Sequence, residues 1–253
     1  MDAQKHRAGL VSVSFRGHSP REILRTMQDA GLTLIEWGSD VHAPCHDVAR
    51  LDELAVLMRE FGVTCCSYGT YFRLGQTPLS ELEAYILAAK HLGTDTLRLW
   101  CGTKSGADTT PDEVASLLAD CRAAADMAKA HGVTLCTECH MGTFTERPED
   151  ALWLMREVNS PHFRTYWQPF QWREVEQNLA YLRELAPYVT HLHVFQWKGA
   201  ARYSLSEGLV EWLGYLALLD KPHTLLLEFM PDDKLETLPA EADALRAILR
   251  RQQ

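Results

Sequence analysis

The chain is short of positive charge. Its 253 residues carry 25 Lys and Arg against 34 Asp and Glu, a formal net charge of −9. Nucleic-acid binders ordinarily show a basic footprint, and anionic lipid selects the same sign, so neither nucleic acid nor membrane is expected as a partner. A small anionic substrate is not excluded, because a few local arginines reverse the field inside a cleft. Long apolar runs are also missing: none approaches the roughly 20 residues that span a bilayer. The stretch MDAQKHRAGLVSVSF has basic residues, a short run broken by serines and no small-residue cleavage site, so it is not expected to act as a signal peptide. Neither GxGxxG nor GxxxxGKS occurs, which removes the usual support for a nucleotide-binding open sheet. The seven cysteines are odd in number and scattered through apolar stretches. They suit buried thiols in a reducing cytoplasm better than a disulfide framework, so a cytoplasmic protein is expected.

What is present is ordinary globular composition, 46% hydrophobic and 23% charged. The length is close to the roughly 250 residues of one (β/α)8 barrel. One pattern recurs: a helical stretch ends at glycine and a β-rich run follows at once, at Gly31, Gly62, Gly93 and Gly132. Glycine is the residue that takes the left-handed conformation after a helix end. Ser19-Pro20-Arg21-Glu22 and Thr110-Pro111-Asp112-Glu113 read as capping boxes with proline at the first helical position, and Thr77 and Ser80 compete to cap the third helix. Strands are expected near 10–15, 33–37, 63–68, 95–100, 133–138, 163–168, 189–194 and 223–229. Helices are expected over 20–30, 47–61, 79–92, 111–131, 147–158, 172–187, 207–220 and 236–250. Helix-length crossovers between strands mean parallel pairing, and eight units in this length favour an α/β fold closed as a (β/α)8 TIM barrel, one domain over 1–253.

In such a barrel the chemistry gathers where strands end. Apolar runs here finish in polar or aromatic residues: LTLI then Glu36 and Trp37; VTCC then Ser67 and Tyr68; TLRLW at Arg98 and Trp100; VTLCT then Glu138; FRTYW then Gln168; THL then His193; TLLL then Glu228. A carboxylate directly after LLL or LCT is nearly buried and needs a cation or donors beside it. Glu138, Gln168, His193 and Glu228 end four consecutive strands, so they can converge on one point. Two carboxylates, an amide oxygen and an imidazole suit one divalent metal ion, Mn²⁺ or Mg²⁺ first, with Co²⁺ or Zn²⁺ as alternatives. A lone Glu at a strand end is more often an ion-pair partner and a lone His more often core; joint placement is what favours metal.

Strand parity puts Glu138 and His140 on one side, and His191 with His193. His193 lies nearer the mouth and is taken as the ligand, His191 as core, and His140 as a substrate contact. Parity also separates the thiols of Cys136 and Cys139, and of Cys65 and Cys66, which read as packing. Trp37, Tyr68, Trp100 and Trp167 are candidates to wall the pocket, with packing as the equal alternative. His42 is a candidate hydroxyl contact. Arg98, inside a strand, must pair with a carboxylate such as Glu36 or bind substrate. Lys198 and Arg202, after strand seven, could meet an anionic group, although a solvated loop is the plainer reading.

Ile35-Glu36-Trp37 with His42, Thr137-Glu138-Cys139-His140, His191-Leu192-His193 and Leu227-Glu228 together resemble the xylose isomerase-like TIM barrels, the sugar phosphate isomerases/epimerases that include tagatose 3-epimerase, hydroxypyruvate isomerase and inosose and dehydroshikimate dehydratases. The resemblance covers the whole chain. It implies one metal bound by Glu138, the residue ending strand six, His193 and Glu228, with the two glutamates as the acid/base pair. The family usually has Asp on strand six, followed three residues on by His; here these are Gln168 and Gln171, so the site loses ligand charge and a titratable group. The implied activity is isomerisation or epimerisation of a small polyhydroxylated substrate, a sugar or sugar-derived keto acid, by proton transfer next to a carbonyl through a metal-stabilised enediolate. Dehydration on the same site, and a non-catalytic sugar-binding barrel without metal, are the alternatives. A DNA-repair endonuclease of the same fold would need more His and Asp ligands and a basic groove. Relatives are often dimers, which makes a homodimer the expectation by analogy.

Overall fold

Helix boundaries in the structure, a computed structural model describing residues 6–252, follow the residues that start and stop helices. Ser19 and Thr110 close capping boxes with Glu22 and Glu113, and prolines open both helices. Gly31, Gly62, Gly93 and Gly132 all sit at positive φ, where a Cβ would be strained. Neither Thr77 nor Ser80 caps the third helix; a short 3₁₀ turn leads into it, and Thr77 Oγ1 instead accepts from the Arg73 backbone N–H.

The strands are β1 Arg7–Val11, β2 Leu34–Gly38, β3 Thr64–Leu74, β4 Thr96–Cys101, β5 Thr134–Thr137, β6 Phe163–Trp167, β7 Val189–Val194, β8 Gln196–Lys198, β9 Ala201–Tyr203 and β10 Thr224–Leu227. The helices are α1 Pro20–Asp29, α2 Val48–Phe61, α3 Leu82–His91, α4 Pro111–His131, α5 Pro148–Val158, α6 Val175–Leu185, α7 Leu209–Leu216 and α8 Leu238–Arg251. β1 to β7 and β10 pair in parallel and close a barrel, with β10 flanked by β7 and β1. This is the (β/α)8 TIM barrel. β8 and β9 form a separate antiparallel hairpin over the mouth, where a loop was expected. Among the described residues, no helix is long and apolar enough to cross a membrane.

Two expected strands move. The first lies at Arg7–Val11 rather than 10–15, because its ladder runs from Arg7 opposite Thr224 to Leu10 opposite Leu227. Beyond it Ser12–Phe15 turn into a 3₁₀ helix, and Ser12 Oγ accepts from the Gly38 N–H. The third continues to Leu74, past the expected end at 68. Its pairing jumps from Ile35↔Cys65 to Glu36↔Ser67, so Cys66 is an extra residue in a bulge. A bulge re-aims the side chains after it, and here Ser67 faces the barrel interior beside Glu36, its hydroxyl bonded to that carboxylate.

The core has two layers. Between strands and helices lies one large apolar cluster that includes Leu24, Leu54, Ile86, Leu154, Leu192 and Leu245. Inside the barrel lies a small cluster of Val11, Val13, Cys136, Tyr166 and Leu226. The rest of the interior is polar and leads upward to the site. The seven cysteines are free. Cys136 belongs to the inner cluster and Cys139 to the outer one, as alternation along a strand requires.

Candidate metal and substrate site

Four strand ends deliver side chains to one point. Nδ1 of His193, on β7, lies 3.1 Å from Gln168 Oε1 just past β6. It is 3.3 Å from Glu138 Oε1, just past β5, and 3.3 Å from Glu228 Oε2, just past β10. The donor atoms of Glu138, His193 and Glu228 all lie within 4.8 Å of one another, and all three residues are buried. Backbone bonds hold the two carboxylates in place: Glu138 N–H donates to Leu99 O and Glu228 N–H to Val194 O. Phe229 takes a left-handed φ of 51° immediately afterwards, its N–H donating to Ser14 Oγ at 2.8 Å.

A second ring of residues fixes the first. Glu138 Oε2 accepts from Trp100 Nε1 at 2.6 Å and lies 3.3 Å from Arg98 Nη1, so Oε1 is the oxygen left to face the centre. Arg98, 2% exposed, also approaches Glu36 at 3.6 Å and donates to Thr70 O at 3.1 Å. Glu36 is fully buried, and its Oε2 accepts from Ser67 Oγ, which in turn accepts from Tyr166 OH, both at 2.5 Å. Gly69 leaves room for this pair: a Cβ there would stand 2.6 Å from Glu36 Oε1 and 3.1 Å from Arg98 Nη2.

The charges are strongly interdependent. Burial alone would raise the Glu36 pKa, but His193, Arg98 and the Ser67 hydroxyl outweigh it and hold the carboxyl at about 2. Burial is likewise outweighed at Glu138, where Arg98 and His193 hold the carboxyl well below its usual range. His193, which burial would make a weaker base, is pushed well above its usual range by Glu228, Glu138 and Glu36.

The arrangement fits a divalent ion. Oxygen and nitrogen ligands at ~2.1 Å in an octahedron sit ~3.0 Å apart along its edges, close to the 3.1–3.3 Å separations around Nδ1. Two buried atoms, His193 Nε2 and Glu36 Oε1, have no hydrogen-bond partner among the described residues and lie 3.6 Å apart. A histidine that offers one nitrogen to a metal usually donates its other N–H to a carboxylate, and Glu36 is placed for that role.

Above this floor opens a cavity of about 340 Å³. Of the residues expected around it, Arg98, Trp100, His140 and Gln171 line it, together with Glu138, Gln168 and Glu228. His140 stacks on Trp100 at 4.8 Å and its Nδ1 bonds Met141 O at 2.6 Å. Trp37, Tyr68, Trp167 and His42 do not line it. Trp37 donates to Met58 Sδ of α2, Tyr68 to Ala43 O, and Trp167 packs on Trp212 and Tyr215. His42 is buried, bonded to His18 O and edge-on to Trp37. Lys198, on β8, is exposed and pairs with Glu211. His191 is held in the interior, bonded to Cys66 O and packed on Tyr166. The walls include Tyr71, Phe195, Trp197 and Phe229, which the sequence reading did not single out. Tyr71 could have been found by extending the parity of β3 from Ser67. Trp197 depends on the hairpin and carried no signal.

Residues 24–250 match the family model described as xylose isomerase-like TIM barrel. Among curated proteins, none matches the chain by sequence. Similar solved structures include the probable 3-DHS dehydratase AsbF, involved in petrobactin synthesis, from Bacillus anthracis. It is 17% identical with a TM-score of 0.79, over 95% of this chain and 98% of that one. D-allulose 3-epimerase from Methylomonas sp. is 13% identical with a TM-score of 0.71, over 100% of both chains. L-ribulose 3-epimerase is 17% identical with a TM-score of 0.69, over 98% of this chain and 94% of that one.

Proposed function

The chain belongs to the xylose isomerase-like TIM barrels, and on that footing we propose that it is a metal-dependent isomerase or epimerase of a small sugar or sugar-derived keto acid. The observation that carries this is the convergence of Glu138, Gln168 and Glu228 oxygens on His193 Nδ1 at the floor of an aromatic-walled cavity. These four side chains would hold one divalent ion, Mn²⁺ or Mg²⁺ by the hardness of the oxygens. When bound, the ion supplies Lewis-acid polarisation of a substrate carbonyl.

The two glutamates are not equivalent. Both oxygens of Glu138 are engaged, Oε2 by Trp100 and Arg98 and Oε1 toward His193. Glu228 gives Oε2 to His193, and among the described residues no hydrogen bond engages its Oε1. Glu228 Oε1 is therefore the base that takes the proton next to the carbonyl, and Glu138, after taking up a proton from solvent, returns one from the other side while Glu228 releases its own to solvent. Return at the same carbon gives epimerisation and at the neighbouring carbon isomerisation. Arg98 keeps Glu138 ionised until then. Gln171 on the wall can hydrogen-bond a hydroxyl but cannot move a proton. Trp100, Phe195 and Phe229 exclude water and offer ring faces to the carbon skeleton.

His140 favours a second reading, a dehydratase. With Nδ1 bonded to Met141 O, its Nε2, which no hydrogen bond engages among the described residues, is available at the cavity wall to protonate a departing β-hydroxyl.

The test is metal content of the purified protein beside Glu138→Gln and Glu228→Gln, followed by a screen of ketoses, inososes and keto acids. Near-stoichiometric Mn, Mg, Co or Zn, lost in both variants, is expected. A protein that takes up no metal on titration would sink the mechanism and leave a sugar-binding barrel without catalysis.

A further inference from the structure

A second cavity of about 290 Å³ lies on the far side of Phe170, Gln171 and Trp197, which line both cavities. Its walls come from the loop after β6 and from the β8–β9 hairpin, and the two are tied together by Gly199 N–H donating to Gln171 O at 2.7 Å. The loop and the hairpin therefore meet in a shared wall, with the reacting centre on one side and this second cavity on the other.

The second cavity has a distinct chemistry. Trp172 on its wall is 60% exposed, an unusual state for so large an apolar ring. The ring rests against the hairpin turn. Gly199 has φ of +57°, and a Cβ there would come within 3.0 Å of the six-membered ring. One face of the indole is thus supported and the rest is offered to whatever enters. Beside it, Gln196 donates to Glu211 Oε2 at 2.9 Å and Lys198 Nζ reaches Glu211 Oε1 at 3.0 Å. This chain of donors and acceptors suits hydroxyls, which both give and accept hydrogen bonds. The lining charges cancel, Arg173 and Lys198 against Glu174 and Glu211, so a phosphate or carboxylate handle is not selected.

From these features we infer that the second cavity is a subsite for a neutral sugar ring, so that the substrate is a glycosylated sugar rather than a free monosaccharide. The inference rests on the reading of the first cavity as a metal-dependent sugar site. The reacting unit occupies the floor at Glu138 and Glu228, and the attached ring lies across Trp172.

Binding to Mn²⁺-loaded protein, followed by calorimetry, tests this with D-fructose and a set of reducing glucosyl-fructoses that differ in linkage. At least one disaccharide is expected to bind about tenfold or more tighter than fructose. Trp172→Ala should erase that gain and leave fructose binding unchanged; because the ring is mostly exposed, the fold should survive. Lys198→Met should cut the same gain in part. If the protein binds Mn²⁺ and fructose but gains nothing from the second ring, or if the gain survives Trp172→Ala, the subsite is overturned and the reading of the first cavity stands. If the protein takes up no Mn²⁺, or takes it up and binds no sugar, both fall.

Discussion

Replacing Glu36 by Gln keeps the shape and the Ser67 hydrogen bond but removes a negative charge from a fully buried position. Arg98, 2% exposed, then faces Glu138 alone, and His193 Nε2 loses the carboxylate 3.6 Å away. Deleting one partner of a buried ion pair typically costs 3–5 kcal/mol. The amide oxygen retains part of the interaction, so about 2–3 kcal/mol is expected in urea unfolding of the metal-free protein. The effect on metal is separate. A residue that orients a ligating imidazole is worth roughly 10–100-fold in affinity, about 1.4–2.7 kcal/mol. Calorimetric titration with Mn²⁺ reads this directly, and Glu36→Asp should recover part of it. Unchanged Mn²⁺ affinity in a well-folded Glu36→Gln protein would refute the assignment of Glu36 as the partner of His193. An unfolding free energy within about 0.5 kcal/mol of the parent would refute the weight given to its ion pair with Arg98.

Gln168→Asp adds a carboxylate to the proposed ligand set and should raise Mn²⁺ affinity by about tenfold or more, measured by the same titration; a fall would mean that Gln168 lies outside the ligand sphere. Gly69→Ala places a methyl against Glu36 and Arg98 and should cost about 1–3 kcal/mol in urea unfolding, with weaker metal binding. His223 is buried with a pKa lowered to about 4, chiefly by burial. Its neutral form is the folded one, so its share of stability is complete above the ordinary histidine value of about 6.5 and is lost as pH falls through about 4. On the order of 3 kcal/mol should disappear over that window. His223→Gln, which keeps a donor for Thr190 O, should flatten the unfolding profile there, and an unchanged slope would remove His223 as its cause.

The floor of the site was legible because a buried strand tolerates a charged residue only where something needs it. Glu138, His193 and Glu228 each follow an apolar run, and consecutive strands bring their ends together. The walls were harder. Trp37, Tyr68 and Trp167 stand next to the inward-facing Glu36, Ser67 and Gln168, and a shift of one residue along a strand turns a side chain to the other face. Applied strictly, that alternation sends all three aromatics out toward the helices, where they pack. Tyr71 escaped notice because β3 runs beyond its expected end, and its inward face depends on the bulge at Cys66. Trp197 and Lys198 depend on a hairpin whose short strands carry no periodicity long enough to read. Ser67 and Tyr166 look like ordinary strand residues; only the closed barrel shows that the Tyr166 hydroxyl reaches Ser67 and, through it, Glu36.

The two-layer core separates what the fold can lose from what it can change. The aliphatic packing between strands and helices includes Leu24, Ile86 and Leu192, none of which lines the cavity. The polar column from Tyr166 through Ser67 and Glu36 to His193 occupies the barrel interior and ends at residues that can be exchanged singly. Gln168 stands just past the end of β6, beyond the strand ladder that closes the barrel. A lineage with this layout can drift through ligand sets, lose a metal or acquire a new reaction while its folding stability is guarded elsewhere. The same scaffold is thus free to diverge chemically at a pace its helices and outer strand faces do not share.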